Sequence, residues 1–535
     1  MKTECKFSYI HHFLSLLSYE HEYKKCELIV ERLNQVNYLK SVLIIYIYFI
    51  KLLRFSPKMI ELNKKFIFYK FISGIVILVF ESDTSYDSKA KTINKKFKNQ
   101  VFDTVVIGSG PGGAIAALRC LEKGEKVALI ESGQAYLPGS ISHHSLGQAN
   151  LQFVNQGLSL AFGNMPLLYA EGGTYGGGSE VNSGLYFKLS GPYRDDFLNK
   201  CNLEEKEWSE KEKVVEKLIS VQKSPKGTYE DVKSALISGS KKLDLTVEEI
   251  PRWRKYSPTE EHQSMQLTYL KKAERLGLEV LVNTEVLKIN DKEDGIKIIA
   301  KSTESDPIFL KTDKVVLSAG TINTPKILKK SKLISGKVNF NFHPMTRCVV
   351  DYGEKVNHGD LFPSFQSWTS DYKYKFGYAV SSYPFVKATL ASLGKYKDVV
   401  KLSNLVCYFS STVLDNPWGR IVYVRNKPLP IIYIGRKDRE KIRTGFSLLK
   451  RIMKNGGVKK IWPSEKLPSL TTVHIFGSLP LNSNKNIGGN GQLVKNSKIK
   501  ICDSSLLPSA PWGNPQAVMM VLNEILIEKW LNSFE

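Results

Sequence analysis

Gly108-x-Gly110-x-x-Gly113 and Glu131 have the types and spacing to hold a dinucleotide. Gly108 permits a sharp exit from a strand, Gly110 lets the backbone come close to a pyrophosphate, and Gly113 lets helix and strand pack tightly. The following helix offers free N–H groups and a positive dipole end to the anion. Glu131 can accept hydrogen bonds from both ribose hydroxyls and would repel a 2′-phosphate. This motif leaves FAD and NAD equally open. Other chemistry is less well provided for. The seven cysteines form no CxxC pair and the nine histidines no HExxH, which argues against a disulfide framework, a zinc site or any other metal and points to a reducing compartment.

The elements that must position these residues are legible around them. FDTVVIG reads as a buried strand, GSGPGG as a turn, AIAALRCLEKG as a helix and KVALIES as a second strand, a β-α-β unit. Three later segments stand out. Glu171 to Lys188, EGGTYGGGSEVNSGLYFK, is so rich in glycine that its backbone must press against something flat or bulky. KVVLSAGTINTPKILKKS, Lys314 to Ser331, gives a strand, a tight Ala319-Gly320 turn and a helix. Lys498 to Leu531 gives a strand ending at Asp503, a proline-rich loop, and a long apolar helix from Asn514-Pro515.

These motifs, in this order, resemble the glucose–methanol–choline (GMC) oxidoreductases over roughly Phe102 to Leu531. The family's glycine-rich flavin loop corresponds to YGGGSEVNSG, its AG-turn segment to LSAGTINTPKIL, and its closing signature to His474 with CDSSLLPSAPWGNP. The resemblance implies noncovalent FAD in an elongated pose and oxidation of an alcohol CH–OH to a carbonyl. By position, Gly108, Gly110 and Gly113 would hold the pyrophosphate and Glu131 the adenosine ribose. Gly177, Gly178, Ser179 and Asn182 would line the isoalloxazine, and Val286 would meet the adenine through its backbone. Ala319 and Gly320 form the AG turn. Asp503 would sit by the pyrophosphate and ribityl chain, with Asn514-Pro515 facing the pyrimidine end of the flavin. His474, which alone would read as a core histidine, matches the catalytic base. Asn514 matches the second active-site position, where an amide can orient the substrate oxygen but cannot take its proton. The His/Asn pair resembles the cholesterol-oxidase-like and fatty-alcohol-oxidase-like branches. His343, in an H-P pair, reads as structural, and nothing marks His143 or His144 as flavin attachment points. The Asn514 side chain also has the simpler reading of an ordinary helix cap.

The expected fold class is therefore α/β (α+β overall): a Rossmann-like FAD-binding domain with a parallel sheet, and a mainly antiparallel substrate domain. The FAD-binding parts fall at 101–190, 276–345 and 470–535, the substrate parts at 191–275 and 346–469. Phe365, Trp368, Tyr378, Tyr383 and Phe385 could line an apolar pocket for a sterol-like, lipid or aromatic alcohol, or be simple core. Residues 1–100 form a basic, helical extension. Its two apolar stretches, 41–50 and 66–80, are too short to span a membrane. Packing on the domain behind them is preferred to peripheral contact with an anionic membrane, and a cytoplasmic location is expected. The net charge of +24 is spread along the chain, and no nucleic-acid module accompanies it. The electron acceptor (oxygen, a quinone or a cytochrome) stays open. The competing readings are an amine oxidase or ketone reductase, and a membrane-associated flavin-binding protein without alcohol turnover.

Overall fold

The computed structural model describes residues 101–535 apart from 226–229, 257–260, 293–294, 303–306, 357–363, 380–385, 387–388, 391–401, 416–417, 425–426 and 465–466. The expectations for residues 1–100 and for Tyr383 and Phe385 lie outside the described residues. The described residues of 101–379 and 402–535 form one compact unit, built on two large sheets and a small three-stranded one.

The first sheet has five parallel strands in the order Ile499–Ile501, Ile308–Leu317, Val101–Ile107, Val127–Ile130, Glu279–Leu281. An antiparallel pair, Thr284–Lys292 with Gly295–Ser302, adds to the early half of Ile308–Leu317. Strand Val127–Ile130 is buried throughout, as parallel strands covered on both faces should be. Helix Pro111–Glu122 lies over this sheet through Ala114, Ile115, Ala116, Ala117 and Leu118, whose mostly small side chains permit a close approach. Helix Pro515–Asn532, apolar nearly all round, packs against it. The charge buried between them is satisfied: Glu524, 1% exposed, takes a two-pronged Arg119 guanidinium (2.8 and 2.9 Å) and the Tyr269 hydroxyl (2.7 Å).

The second sheet is antiparallel except at two junctions. Its central strands Met345–Asp351, Leu405–Thr412, Tyr374–Tyr378 and Phe365–Trp368 lie side by side. Helix Arg436–Asn455 covers one face by burying Phe446, Leu449, Ile452 and Met453, at helical spacing, against Phe376, Tyr378, Val406 and Tyr408. Strands Ser159–Gly163, Leu167–Tyr169, Leu470–Thr472 and Ile475–Phe476 also belong to this sheet. The chain therefore passes from the second sheet to the first between Phe476 and Ile499, and His474 sits just before that passage.

Candidate active site

The glycine turn is fixed by its surroundings. Gly108 has φ +95°, and a Cβ there would lie 2.2 Å from the Ser318 carbonyl oxygen. A Cβ on Gly113 would lie 1.9 Å from the Gly108 oxygen, and one on Gly112 would lie 1.7 Å from the Cys502 oxygen. Helix, turn and C-terminal strand thus touch through bare backbone. Gly110 differs: a Cβ there would meet nothing within 4 Å. It precedes a helix with no side-chain cap and no acidic residue in its first turn, so the N-terminal amides face open space.

Glu131, 6% exposed, accepts the Ser109 amide (2.9 Å) and hydroxyl (2.6 Å) on one oxygen, and the Gly133 amide (2.8 Å) and Ser132 hydroxyl (3.2 Å) on the other. A ribose hydroxyl would take the place of one of these serine donors. The Ser109 hydroxyl also accepts the Gly176 N–H (2.9 Å), tying the ribose corner to the flavin loop. In that loop a Cβ on Gly177 would lie 2.6 Å from the Gly110 Cα, whereas Gly178 faces open space. The Ser179 side chain is turned inward, donating to the Gly176 carbonyl (2.7 Å) and accepting the Met265 amide (3.0 Å). The Asn182 amide donates to Gln516 (2.7 Å), in the first turn of the C-terminal helix. Val286 lies on the antiparallel pair, beside a register shift, 5% exposed.

Asp503 joins its own segment to the start of helix Gly320–Lys330. It accepts the Gly320 amide (2.9 Å) and the Thr324 hydroxyl (2.5 Å) on one oxygen and the Ser505 amide (2.8 Å) on the other. Ala319, before Gly320, donates its amide to the same Thr324 hydroxyl (3.0 Å).

At the other end stand two histidines. The Nδ1 atoms of His474 and His343 are 3.4 Å apart and their rings are nearly perpendicular. The His474 Nε2 is bonded to no described residue. The Pro511 carbonyl faces His343 and raises its proton affinity, although the approach falls short of a hydrogen bond. A carbonyl only accepts, so it favours the N–H of His343 on that side. With Nδ1 of His343 as the acceptor for Nδ1–H of His474, Nε2 of His474 is unprotonated. Burial, with His343 and then Lys375 nearby, holds His474 well below the ordinary imidazole range, and His343 is lowered to about 3 by burial and Lys375.

Asn514 departs from the ordinary-cap reading. It occupies the cap position of helix Pro515–Asn532 but makes no side-chain cap bond; its Oδ1 instead accepts from Lys375 Nζ at 2.9 Å. Sequence reasoning missed Lys375, and it left Gly112, Ser109 and Phe187 without roles. Gly112 was visible within GSGPGG. Lys375 gave only the weak signal of a lysine alternating with aromatics in YKYKFGY.

A glycine cradle open at Gly110 and Gly178, an uncapped helix N-terminus and a ring of backbone donors suit a long, anionic, flat-headed ligand. The class this defines is an FAD-binding oxidoreductase. Residues 112–345 match the GMC oxidoreductase family model. A GMC-type oxidoreductase of Sinorhizobium fredii, y4nJ, is 24% identical over 78% of this chain and 92% of its own length. The long-chain-alcohol oxidase FAO4A of Arabidopsis thaliana is 30% identical over 45% of this chain and 36% of its own. Pyridoxine 4-oxidase from Mesorbium loti shares the fold at TM-score 0.63 and 13% identity, over 80% of this chain and 99% of that one. Formate oxidase of Aspergillus oryzae does so at 0.67 and 12%, over 82% and 99%. The family-model match and these relatives support a GMC-type oxidoreductase, and FAD is its cofactor.

Proposed function

We propose that the protein oxidises the CH–OH group of an alcohol to a carbonyl, with His474 as the base and FAD held noncovalently. The observation that carries this reading is a buried imidazole whose Nδ1 is engaged by His343 and whose Nε2 is left bare. An alcohol is too weak an acid to lose its proton unaided. Nε2 of His474 takes the hydroxyl proton, and burial, with His343 and Lys375 nearby, depresses its proton affinity and keeps it in the accepting form at neutral pH. Asn514, through Nδ2–H, donates to the same oxygen and steadies the charge that grows on it. Bound FAD supplies the acceptor for the hydride that leaves the carbinol carbon, so the alcohol loses two electrons and two hydrogens. Phe187, Trp368 and Trp512 cluster beside Asn514 and give the substrate an apolar wall, which favours an alcohol carried on a lipid-like or aromatic body. The likeness to a plant long-chain-alcohol oxidase supports the same choice. A cationic amine substrate is disfavoured by Lys375 at the same place.

The test is anaerobic bleaching of the bound flavin by a panel of alcohols, for the parent and for H474A. The variant should keep FAD and lose the bleaching; bleaching as fast as in the parent removes His474 as the base. A loaded parent that no alcohol bleaches removes the reaction class. Readmitting oxygen, a quinone or a cytochrome to the reduced protein then identifies the acceptor.

A further inference from the structure

Lys375 lies in strand Tyr374–Tyr378. Alternation sends Tyr374, Phe376 and Tyr378 to the face covered by helix Arg436–Asn455, and Lys375 to the opposite face. There it is 3% exposed. Its cross-strand neighbours are Trp368 and Ser411, and its Nζ stands 4.2 Å from the centroid of the Phe187 ring while donating to Asn514. The titratable groups facing it are His343 and His474, both made less basic by its charge. At the adjoining turn Asp371 and Lys373 pair with each other in solvent, and the charged groups of helix Arg436–Asn455 lie behind the sheet. Among the described residues no carboxylate pairs with Lys375.

A buried, unpaired ammonium is costly, and a methionine of similar length would fill the space without that penalty. Packing is therefore a poor account of this lysine. Its chemistry offers a better one. A protonated lysine only donates, so the Asn514 amide must turn Oδ1 toward it, which leaves the Nδ2 hydrogens for the site. A neutral amine carries a lone pair and imposes no such choice.

We propose that Lys375 is a positioning residue whose ammonium form fixes the Asn514 amide with Nδ2–H toward the substrate oxygen, and whose loss of a proton releases that orientation. The proposal rests on the alcohol-oxidation reading for its kinetic consequence. Burial lowers the Lys375 pKa from 10.5 to about 7, so the release falls within the working range of pH. The alkaline decline of activity belongs to Lys375, and the acid decline to His474.

The test follows flavin reduction by the best alcohol from pH 5.5 to 9.5 in the holoenzyme, for the parent, K375M, K375R, N514A and K375M/N514A. The parent should decline as pH rises through neutrality. K375M should be slower by about tenfold, the loss of one hydrogen bond's worth of orientation, and should lack that decline. K375R, charged at every pH used, should recover much of the rate and also lack the decline. The double variant should be no slower than the slower single variant, because Lys375 acts through Asn514. A second readout needs no substrate: the absorbance of bound FAD should shift with pH near neutrality in the parent and not in K375M. An alkaline decline retained in K375M, or losses that multiply in the double variant, overturns the proposal. If no alcohol reduces even the parent, the alcohol reading fails by itself, and the absorbance titration still decides for Lys375. If K375M does not hold FAD, K375R carries the same comparison.

Discussion

The nucleotide end and the reacting end of this site are built on opposite terms. At the nucleotide end the chain satisfies itself: Glu131 and Asp503 each accept several protein donors, and glycines bring backbones into direct contact. At the reacting end, polar atoms are left open and titratable groups are displaced: His474 with a bare Nε2, His343 with an unbonded Nε2, and Lys375 without a counter-charge among the described residues. A binding cradle works by holding one shape, so its polar groups can be saturated. A reacting surface must keep capacity in reserve for the substrate, and it bears the instability that reserve entails.

This contrast can be broken from either side. The largest effect is expected from G108A. It places a Cβ 2.2 Å from the Ser318 oxygen at a φ of +95°, so the purified protein should have lost its flavin absorbance and melt far lower. H474A should retain the flavin spectrum and slow flavin reduction by about 10²–10⁴. Acid should act on stability ahead of catalysis. His143, His144, His262 and His343 are held by burial at about 4, 3, 3 and 3, and His474 is also well depressed. Between the ordinary 6.5 and those values the unfolded chain binds protons that the folded one refuses, so stability falls as pH drops through that window. Glu171 and Glu180, raised to about 7 by burial, act in the opposite sense between 7 and 4.5. Glu212 and Asp503, also raised by burial, act with them, but five histidines over the wider window outweigh four carboxylates and should leave a melting temperature that declines from pH 6.5 toward 4. An unchanged melting temperature there contradicts the neutral-histidine description.

Smaller effects sharpen the comparison. H343Q removes a neighbour that depresses His474, so the acid limb of flavin reduction should move upward toward the ordinary imidazole value, with a rate loss of about tenfold. K375M should melt above the parent at pH 6. The gap should narrow as pH rises from about 7 to 10.5, because there the folded parent has shed a proton that its unfolded form keeps. A gap independent of pH would mean that burial does not lower the pKa of this lysine in the folded protein.

What the sequence disclosed follows the same divide. The β-α-β unit, Gly108, Gly110, Gly113 and Glu131 are local: strand, turn, helix and acid lie within about thirty residues, so spacing alone carries the geometry. The reacting end is assembled across the chain. His343 and His474 are separated by 131 residues, Lys375 and Asn514 by 139, and no periodicity links them. Lys375 was one of 76 basic residues spread along the chain. The aromatics divided by strand alternation. Trp368 belongs to the cluster beside Asn514, whereas Phe365 and Tyr378 belong to the core cluster under the covering helices on the other face. His343 was read as structural, and it proves to be the ring against which His474 is set.

Asp503 has a consequence for how the molecule comes into being. One carboxylate near the end of the polypeptide latches the turn that begins the helix at Gly320, and the strand just before it closes the edge of the parallel sheet beside Ile308–Leu317. While the ribosome still holds those last residues, that edge is unpaired and the cavity for FAD has no closing wall. Cofactor capture must therefore wait until Ile499–Ile501 and Asp503 have been made and have docked, and nascent chains that stall before them should expose an unpaired sheet edge and carry no flavin.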